Sequence, residues 1–284
     1  MADRGANYAD KAISRVDKAL YSTYNTAQRE LRQKWADFNK KFRVKDLEKR
    51  KQRDEGKITE QQYKDWLAGQ VFMRRQWEQN IKQVCEVMLH HNEQALKIIN
   101  ESSLDTFAEN YYAEAFKAQW ICSNVSFNVY NTQAIANLIR DNPQILPEWH
   151  INEPKDYKWN YKKVNNIVKQ GIIQGEGIEQ ITERLCNDLS TQNENKMRMF
   201  ARTAMTCAQN AGRQLQMAEG AKLGIVIEKE WLATHDSKTR DSHRHMDGER
   251  VPYDEEYSNG LMYPGDPSGA PEEVYNCRCS EKSV

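Results

Sequence analysis

"ISRVDKALYSTYNTAQRELRQKWADF", residues 13–38, is the stretch that decides the fold class. Its apolar residues are separated by 3, 4, 4, 3, 4, 4 and 3 positions: Ile13, Val16, Leu20, Tyr24, Ala27, Leu31, Trp35 and Phe38. This spacing places them on one face of an α-helix, whereas a strand requires strict alternation. Since no Gly or Pro interrupts the stretch, we predict one amphipathic helix roughly 40 Å long, at ~1.5 Å per residue.

The composition excludes several classes of protein. The chain has 284 residues, of which 29% are charged and 39% apolar, and its 41 basic and 41 acidic residues cancel. A zero net charge argues against a general polyanion binder, and 7 Trp with 13 Tyr argue against disorder. No apolar run approaches the ~20 residues of a membrane span, and the start of the chain does not resemble a secretory signal. We therefore expect no membrane association, and reduced thiols.

The rest of the chain is also mainly helical in its pattern. Thr59 and Gln62 have the spacing of a capping box, and an apolar face continues from Trp77 to Ile99. Further helical patterns cover residues 103–130, 132–140, 161–173, 178–190 and 193–224. The glycine-rich "GIIQGEG", residues 171–177, lacks the spacing of a nucleotide-binding loop and is interpreted as a turn. Arg202, Gln209 and Arg213 could line a polar face, but charges on a helix surface are the simpler interpretation.

The domain organisation follows from proline positions and from a change in character at Gly224. Pro143 and Pro147 end the N-terminal helices, and β-branched residues, glycine and proline become frequent after Gly224. We predict an N-terminal long-helix region (1–142), a connector (143–157), a helical middle region (158–223) and a C-terminal module (224–284). The predicted fold class is mainly α with a small α+β C-terminal domain, in which long amphipathic helices precede a compact loop-rich module.

A basic run lies between the first two helical patterns. From Lys40 to Arg53 it contains eight basic residues and two acidic ones; the basic residues are Lys40, Lys41, Arg43, Lys45, Lys49, Arg50, Lys51 and Arg53. Such a run is most often a solvated helix end or turn. The alternative is a patch that contacts nucleic-acid phosphates, because Lys and Arg clusters release counterions there.

The C-terminal region concentrates polar residues of the kinds found in sites. If Asp236 caps a helix, then Asp236, Arg240, His243 and Asp247 fall at i, i+4, i+7 and i+11 and share one face. Gly248 would end this helix, and "ERVPY" would return as a strand. With Thr239, these residues could form a polar network that holds a small fold together. They could also form a catalytic site of a metal-assisted hydrolase or nuclease.

"NCRC", residues 276–279, leaves several interpretations open. Cys277 and Cys279 are too close for an unstrained mutual disulfide. Their side chains would project in the same direction from a strand, which suits two ligands of one zinc ion together with His243. However, strong zinc motifs space their thiols more widely. Packed free thiols are the alternative, and a catalytic thiol is the least favoured.

These segments resemble one known family. "KEWLATHDSKTRDSHRHMDGERV" (229–251) and "SNGLMYPGDPSGAPEEVYNCRC" (258–279) closely resemble the phage Mu F-like family of minor head proteins. The matching elements are Trp231, Asp236, Thr239, Arg240, His243, Asp247, Gly248, the "GLMYPGDP" loop and Asn276 to Cys279. "GKITEQQYKDWL" (56–67) and "ARTAMTCAQNAGR" (201–213) are also similar to the helical regions of such proteins. His235 departs from the family pattern, in which we expect an apolar residue.

The resemblance implies a structural protein of the phage virion. Proteins of this family are made in the host cytoplasm and lie inside the head in few copies. They assist head morphogenesis near the portal and can leave with the genome. The implied partners are the portal protein, the major capsid protein and packaged DNA. The resemblance implies no catalytic residues and no cofactor, so we expect no enzyme. Some relatives carry toxin domains after this module, and we expect none here because five residues follow Cys279.

Overall fold

The computed structural model describes residues 4–72, 75–121 and 132–284. The side chains of residues 36–39, 41, 70–72, 75–77 and 132 lie outside this description. The helices are α1 (Arg4–Asp54), α2 (Glu60–Phe72), α3 (Arg75–Ile121), α4 (Thr132–Asp141), α5 (Glu153–Gln174), α6 (Ile178–Lys222), α7 (Asp241–His245) and α8 (Pro271–Val274). The strands are β1 (Glu228–Leu232), β2 (Arg250–Pro252) and β3 (Ser280–Ser283). The predicted fold class is confirmed.

The apolar stripe of α1 lies on its buried face, as predicted. Val16, Leu20, Tyr24, Ala27, Leu31 and Trp35 are at most 3% exposed. Ile13 is half-buried, and the side chain of Phe38 lies outside the described residues. The helix continues to Asp54, so the basic run is part of α1 and not a turn. Lys and Arg favour helix, and no Gly or Pro lies between residues 6 and 55, which explains the continuation.

Helix boundaries agree with the sequence where a specific cap is present. The Thr59 backbone N–H donates to Gln62 Oε1 at 2.8 Å, and the Gln62 N–H donates to Thr59 Oγ1 at 3.1 Å, so the capping box is confirmed. The predicted turn at residues 171–177 is shorter than expected, because α5 continues to Gln174. Its second part is confirmed, since Gly175 caps α5 in the left-handed conformation, at φ 73°.

Some helices extend beyond the boundaries expected from the sequence. The tract expected to start at Ser103 is the second half of α3, and the patterns 178–190 and 193–224 form one helix, α6. The helix α5 begins at Glu153, inside the expected connector, because Asn152 Oδ1 accepts from the Lys155 N–H at 3.2 Å. Pro154 lies in the first turn of α5, where its missing N–H costs nothing. Residues 122–130 of the tract to Tyr130, and the Trp77 side chain, lie outside the described residues.

The chain divides into two compact units, each assembled from separate segments. The first unit comprises Met1–Ala19, Leu96–Trp149 and Arg198–Val284, and the second comprises Leu20–Ala95 and His150–Met197. The four sequential domains given above remain a prediction.

The second unit contains a chain of buried hydrogen bonds across four helices. Tyr24 Oη donates to Asn92 Oδ1 at 2.5 Å, Asn92 Nδ2 donates to Asn193 Oδ1 at 2.9 Å, and Asn193 Nδ2 donates to Asn160 Oδ1 at 2.9 Å. All four residues are at most 1% exposed. Because an unpaired buried amide is costly, this chain favours one relative register of α1, α3, α5 and α6 within the unit.

The first unit combines helices with a three-stranded antiparallel sheet, ordered β2-β1-β3. On the central strand, Lys229 lies opposite Val251 of β2, and Trp231 lies opposite Glu281 of β3. Lys229 and Trp231 are both fully buried. In the helical part of this unit, α6 approaches α3 closely at Gly212, since a Cβ atom there would lie 2.4 Å from the Phe107 carbonyl oxygen. Here glycine is required for space.

Candidate metal centre

The short helix of the module is not the helix that the sequence predicts. The helix α7 spans Asp241–His245, so Asp236 and Asp247 lie outside it and Arg240 is its N-cap. The expected common face of Asp236, Arg240, His243 and Asp247 is therefore wrong. Gly248 does have a left-handed φ of 81°, but it lies beyond the helix end. The predicted return strand is confirmed as β2.

The residues before α7 bind the loop that carries the cysteines. The Asp236 carboxylate accepts from Arg278 Nη2 at 2.7 Å and from the Lys238 N–H at 2.8 Å. The pKa of Asp236 is lowered, chiefly by the hydrogen bond from Arg278. Thr239 donates to the Thr234 carbonyl, and Arg240 donates to the Tyr275 carbonyl. These contacts support a structural role for the three predicted network residues.

Asp247 belongs to a different group of contacts. Its Oδ1 accepts from the Ala233 N–H at 2.8 Å, and its Oδ2 lies 3.2 Å from His235 Nε2. His235, the departure from the family pattern, thus has a polar partner at the end of β1, although its side chain is 75% exposed.

His243, Cys277 and Cys279 come together in the interior of the module. His243 Nδ1 lies 3.6 Å from Cys277 Sγ and 3.5 Å from Cys279 Sγ. The three side chains are 1%, 1% and 3% exposed. On the other side of the ring, His243 Nε2 lies 2.7 Å from Glu273 Oε2. The edge of the ring packs against Trp231, with centroids 5.3 Å apart.

The two thiols differ in their acidity. The hydrogen bond from Cys277 lowers the pKa of Cys279 against the opposing effect of burial, and His243 adds to the lowering. The same thiol–thiol bond and burial raise the pKa of Cys277. Burial opposes a charge on His243, but its contacts with Cys279 and Glu273 outweigh burial and raise its pKa. The cluster therefore favours a thiolate, the form that binds metals.

One face of α6 forms a polar clamp, of which the sequence had indicated only Arg213 as a candidate for a polar face. We define the clamp as Thr203, Thr206, Asn210 and Arg213, which are spaced by 3, 4 and 3 positions. Thr203 Oγ1 accepts from the Asn276 N–H at 3.0 Å, and Thr206 Oγ1 donates to the Cys277 carbonyl at 2.7 Å.

The remaining clamp residues hold β3 and the loop before it. Asn210 Nδ2 donates to the Pro264 carbonyl at 2.8 Å, and its Oδ1 accepts from the Glu281 N–H at 3.1 Å. Arg213 is fully buried and donates to the Glu281 carbonyl, so its interpretation as a surface charge is wrong. Gln209 is also buried, whereas Arg202 is exposed as expected. The helical spacing of polar residues among Ala, Cys and Met was the signal for this face.

The basic run contains both exposed and internally paired side chains. Lys40 and Lys45 are exposed. Other members contact polar groups of the second unit: Arg43 lies 3.3 Å from Glu179, Arg50 donates to Gln180 at 2.8 Å, Lys49 donates to Gln52 at 3.2 Å, Lys51 lies 3.9 Å from Glu55, and Arg53 lies 2.8 Å from Asp54. The side chain of Lys41 lies outside the described residues. Nucleic-acid contact by the run remains a prediction.

A family model, described as phage Mu protein F like protein, matches residues 162–281. This range covers the clamp, the cysteine cluster and all but the last three residues of the module. Over these residues the chain is similar to the phage Mu F-like family. The chain is also 28% identical over 193 residues to "Minor head protein GP7" of Bacillus phage SPP1, a match that covers 65% of this chain and 60% of that protein. No solved structure matches the chain.

A second relative has an enzyme's name. The chain is 32% identical over 125 residues to "NAD(+)--arginine ADP-ribosyltransferase EFV" of Enterococcus faecalis (strain ATCC 700802 / V583), which covers 43% of this chain and 26% of that protein. Because the match covers only about a quarter of that relative, it does not indicate transferase activity for this chain.

The hydrolase or nuclease alternative is not favoured. His243 is buried with both ring nitrogens in contact, and the Asp236 carboxylate is paired with Arg278. Across the described ranges, none of the helices combines the length and hydrophobicity that crossing a bilayer requires.

Proposed function

We propose that this protein is a minor head protein of a tailed phage, that it lies inside the head, and that it assists head morphogenesis. The observation that carries the proposal is the Mu F-like match over residues 162–281, together with the similarity to minor head protein GP7. The geometry is compatible with this role, since the module is a densely hydrogen-bonded structural unit. The chain spans 60% of the length of GP7, so partners and ejection with the genome are part of the proposal.

The proposed partners are the portal protein and the major capsid protein of the same phage. A protein that acts in head assembly has to contact other head components, and the minor head relative supports such a contact. We expect the portal protein to be the direct partner, because the resemblance to this family implies a position near the portal.

Co-expression tests the partner directly. The tagged full chain is co-expressed with the portal protein from the same genome, and in parallel with the major capsid protein. We expect the portal protein to co-purify at physiological salt and to co-elute in size-exclusion chromatography. A variant with an acidic substitution at the exposed Lys238, outside the His243, Cys277 and Cys279 cluster, serves as a control for charge effects. If neither head protein co-purifies, the proposed partnership is contradicted.

We also propose that the exposed part of the basic run contacts packaged DNA. Lys40 and Lys45 are exposed on α1, and the Arg43 side chain is 61% exposed beside Glu179. Cationic side chains on one helix can follow a phosphate backbone, and they bind it by releasing counterions. The contact would be independent of DNA sequence, as head packaging of a whole genome requires.

A further inference from the structure

We propose that His243, Cys277 and Cys279 bind a zinc ion that holds the C-terminal module together. The inference is independent of the proposed function, because it concerns the chemistry of the cluster and not the place of the protein in a phage. The ligand atoms are His243 Nδ1, Cys277 Sγ and Cys279 Sγ, which all lie within 4.8 Å of one another.

The two distances from the imidazole to the thiols fit a tetrahedral zinc ion. Zn–S bonds of ~2.3 Å and a Zn–N bond of ~2.1 Å at a tetrahedral angle place sulfur and nitrogen about 3.6 Å apart. The observed separations from His243 Nδ1 are 3.6 Å to Cys277 Sγ and 3.5 Å to Cys279 Sγ. These separations are those of two ligands that share one metal ion.

The histidine is oriented as metal-binding histidines are. Glu273 Oε2 lies 2.7 Å from His243 Nε2, so the carboxylate fixes the proton on Nε2 and leaves Nδ1 to face the thiols. Ser242 Oγ lies 3.3 Å from both Glu273 carboxylate oxygens and helps to hold that side chain. A carboxylate behind the imidazole increases its basicity toward a metal.

The backbone around the cysteines is also arranged for two parallel ligands. Asn276 has a left-handed φ of 58°, and the Thr203 and Thr206 hydroxyls of the clamp hold Asn276 and Cys277 in place. Cys277 and Cys279 then lie two residues apart just before β3, and the sulfur atoms of both lie beside His243 Nδ1. Two thiolates and an imidazole are a donor set that favours zinc over magnesium or calcium.

The site has a structural role. Its ligands connect α7 with the segment between α8 and β3, and they close a loop of the chain in a module with a small apolar core. Among the described residues the group has three protein ligands, so water or another small ligand completes the fourth position. Binding energy at such a site adds to the stability of the fold.

Metal analysis of the reduced full chain tests the proposal. We expect about one zinc per chain by mass spectrometry of the metal content. Replacement by cobalt should give the absorption bands of a tetrahedral thiolate site. Cys277→Ala and Cys279→Ala should lose both signals, whereas Cys85→Ala and Cys186→Ala, which remove buried thiols of the second unit, should keep them. A folded wild-type chain that binds neither metal would overturn the proposal.

Histidine and carboxylate variants test the geometry while sparing the thiols. His243→Ala should abolish zinc binding, and His245→Ala, which removes an exposed histidine of the same helix, should not. Glu273→Gln should weaken zinc about 10–100-fold in competition with a chelator, since only the partner of the ligand changes. Circular dichroism confirms that each variant is folded. Wild-type affinity in both His243→Ala and Glu273→Gln would contradict the assigned ligands.

Discussion

At the scale of the residue, Glu281 shows how a buried charge affects stability. Its side chain is fully buried on β3, and burial raises its pKa to about 8, although Lys229 and Arg213 partly oppose the shift. The folded protein therefore retains a proton that the unfolded chain has already lost. This contribution to stability is complete below the unfolded pKa of 4.5 and is lost as the pH rises through about 8.

We predict that Glu281→Gln reduces the pH dependence of stability between pH 5 and 8. One retained proton lowers the free energy of unfolding by at most about 1.4 kcal/mol for each pH unit that the pH rises. Glutamine does not titrate, so this contribution is absent in the variant. Urea unfolding at several pH values measures the slope. Glu228→Gln, at an exposed position of β1, should leave the wild-type slope unchanged. Equal slopes in wild type and Glu281→Gln would contradict the assignment.

Asn210 is the clamp residue with the most extensive contacts to the module, through Pro264, Cys279 and Glu281. We predict that Asn210→Ala destabilises the protein by about 3 kcal/mol, because it leaves buried carbonyl and N–H groups without partners. Asn166→Ala, at an exposed position of α5, should change stability by less than about 0.5 kcal/mol. Chemical denaturation measures the free energy of unfolding of both variants. Similar losses in the two would contradict the stabilising role of the clamp.

At the scale of the element, the contact between α3 and α6 depends on Gly212. We predict that Gly212→Ala is destabilising despite the better helix propensity of alanine, because its Cβ would lie 2.4 Å from the Phe107 carbonyl oxygen. Gly69→Ala in α2 is the matched control, since nothing lies within 4 Å of its added Cβ. That variant should be stabilised by up to about 1 kcal/mol. Thermal melts of both variants should shift in opposite directions, and a shared stabilisation would contradict the close packing.

The sequence predicts elements well where local chemistry determines them. The stripe of α1, the capping box at Thr59 and the left-handed Gly175 are local features, and each is confirmed. The breaks expected near Ser103 and Ser190 are wrong, because a polar side chain does not by itself end a helix. Ser103 Oγ, for example, donates to the Ile99 carbonyl one turn earlier.

The candidate site was harder to predict because its members meet only in the folded chain. His243 and the two cysteines are more than 30 residues apart in sequence, and their approach depends on α7, β3 and the clamp on α6. From the sequence, His243, Cys277 and Cys279 were grouped as possible ligands of one zinc ion, as one of several interpretations. It could not show Glu273, whose role follows from distance alone, or the burial of Arg213.

At the scale of the whole molecule, the net charge is zero, so any contact with DNA has to be made by a local basic surface. We predict that the full chain binds double-stranded DNA with an affinity that falls as salt increases, with a slope of about −0.9 for each phosphate contact. Lys40→Glu with Lys45→Glu should lower both affinity and slope. Lys82→Glu with Lys97→Glu, an equal charge change at exposed positions of α3, should retain a larger slope. Fluorescence anisotropy at several salt concentrations compares them, and a flat response in wild type would exclude the contact.

The central claim is that this chain is a component of the phage head. Quantitative mass spectrometry of purified procapsids and DNA-filled heads, from the phage or induced prophage that encodes the chain, tests it most directly. We predict that the chain is present in both particles in few copies relative to the major capsid protein, and that it is protected from external protease. Its absence from both particles would contradict the claim.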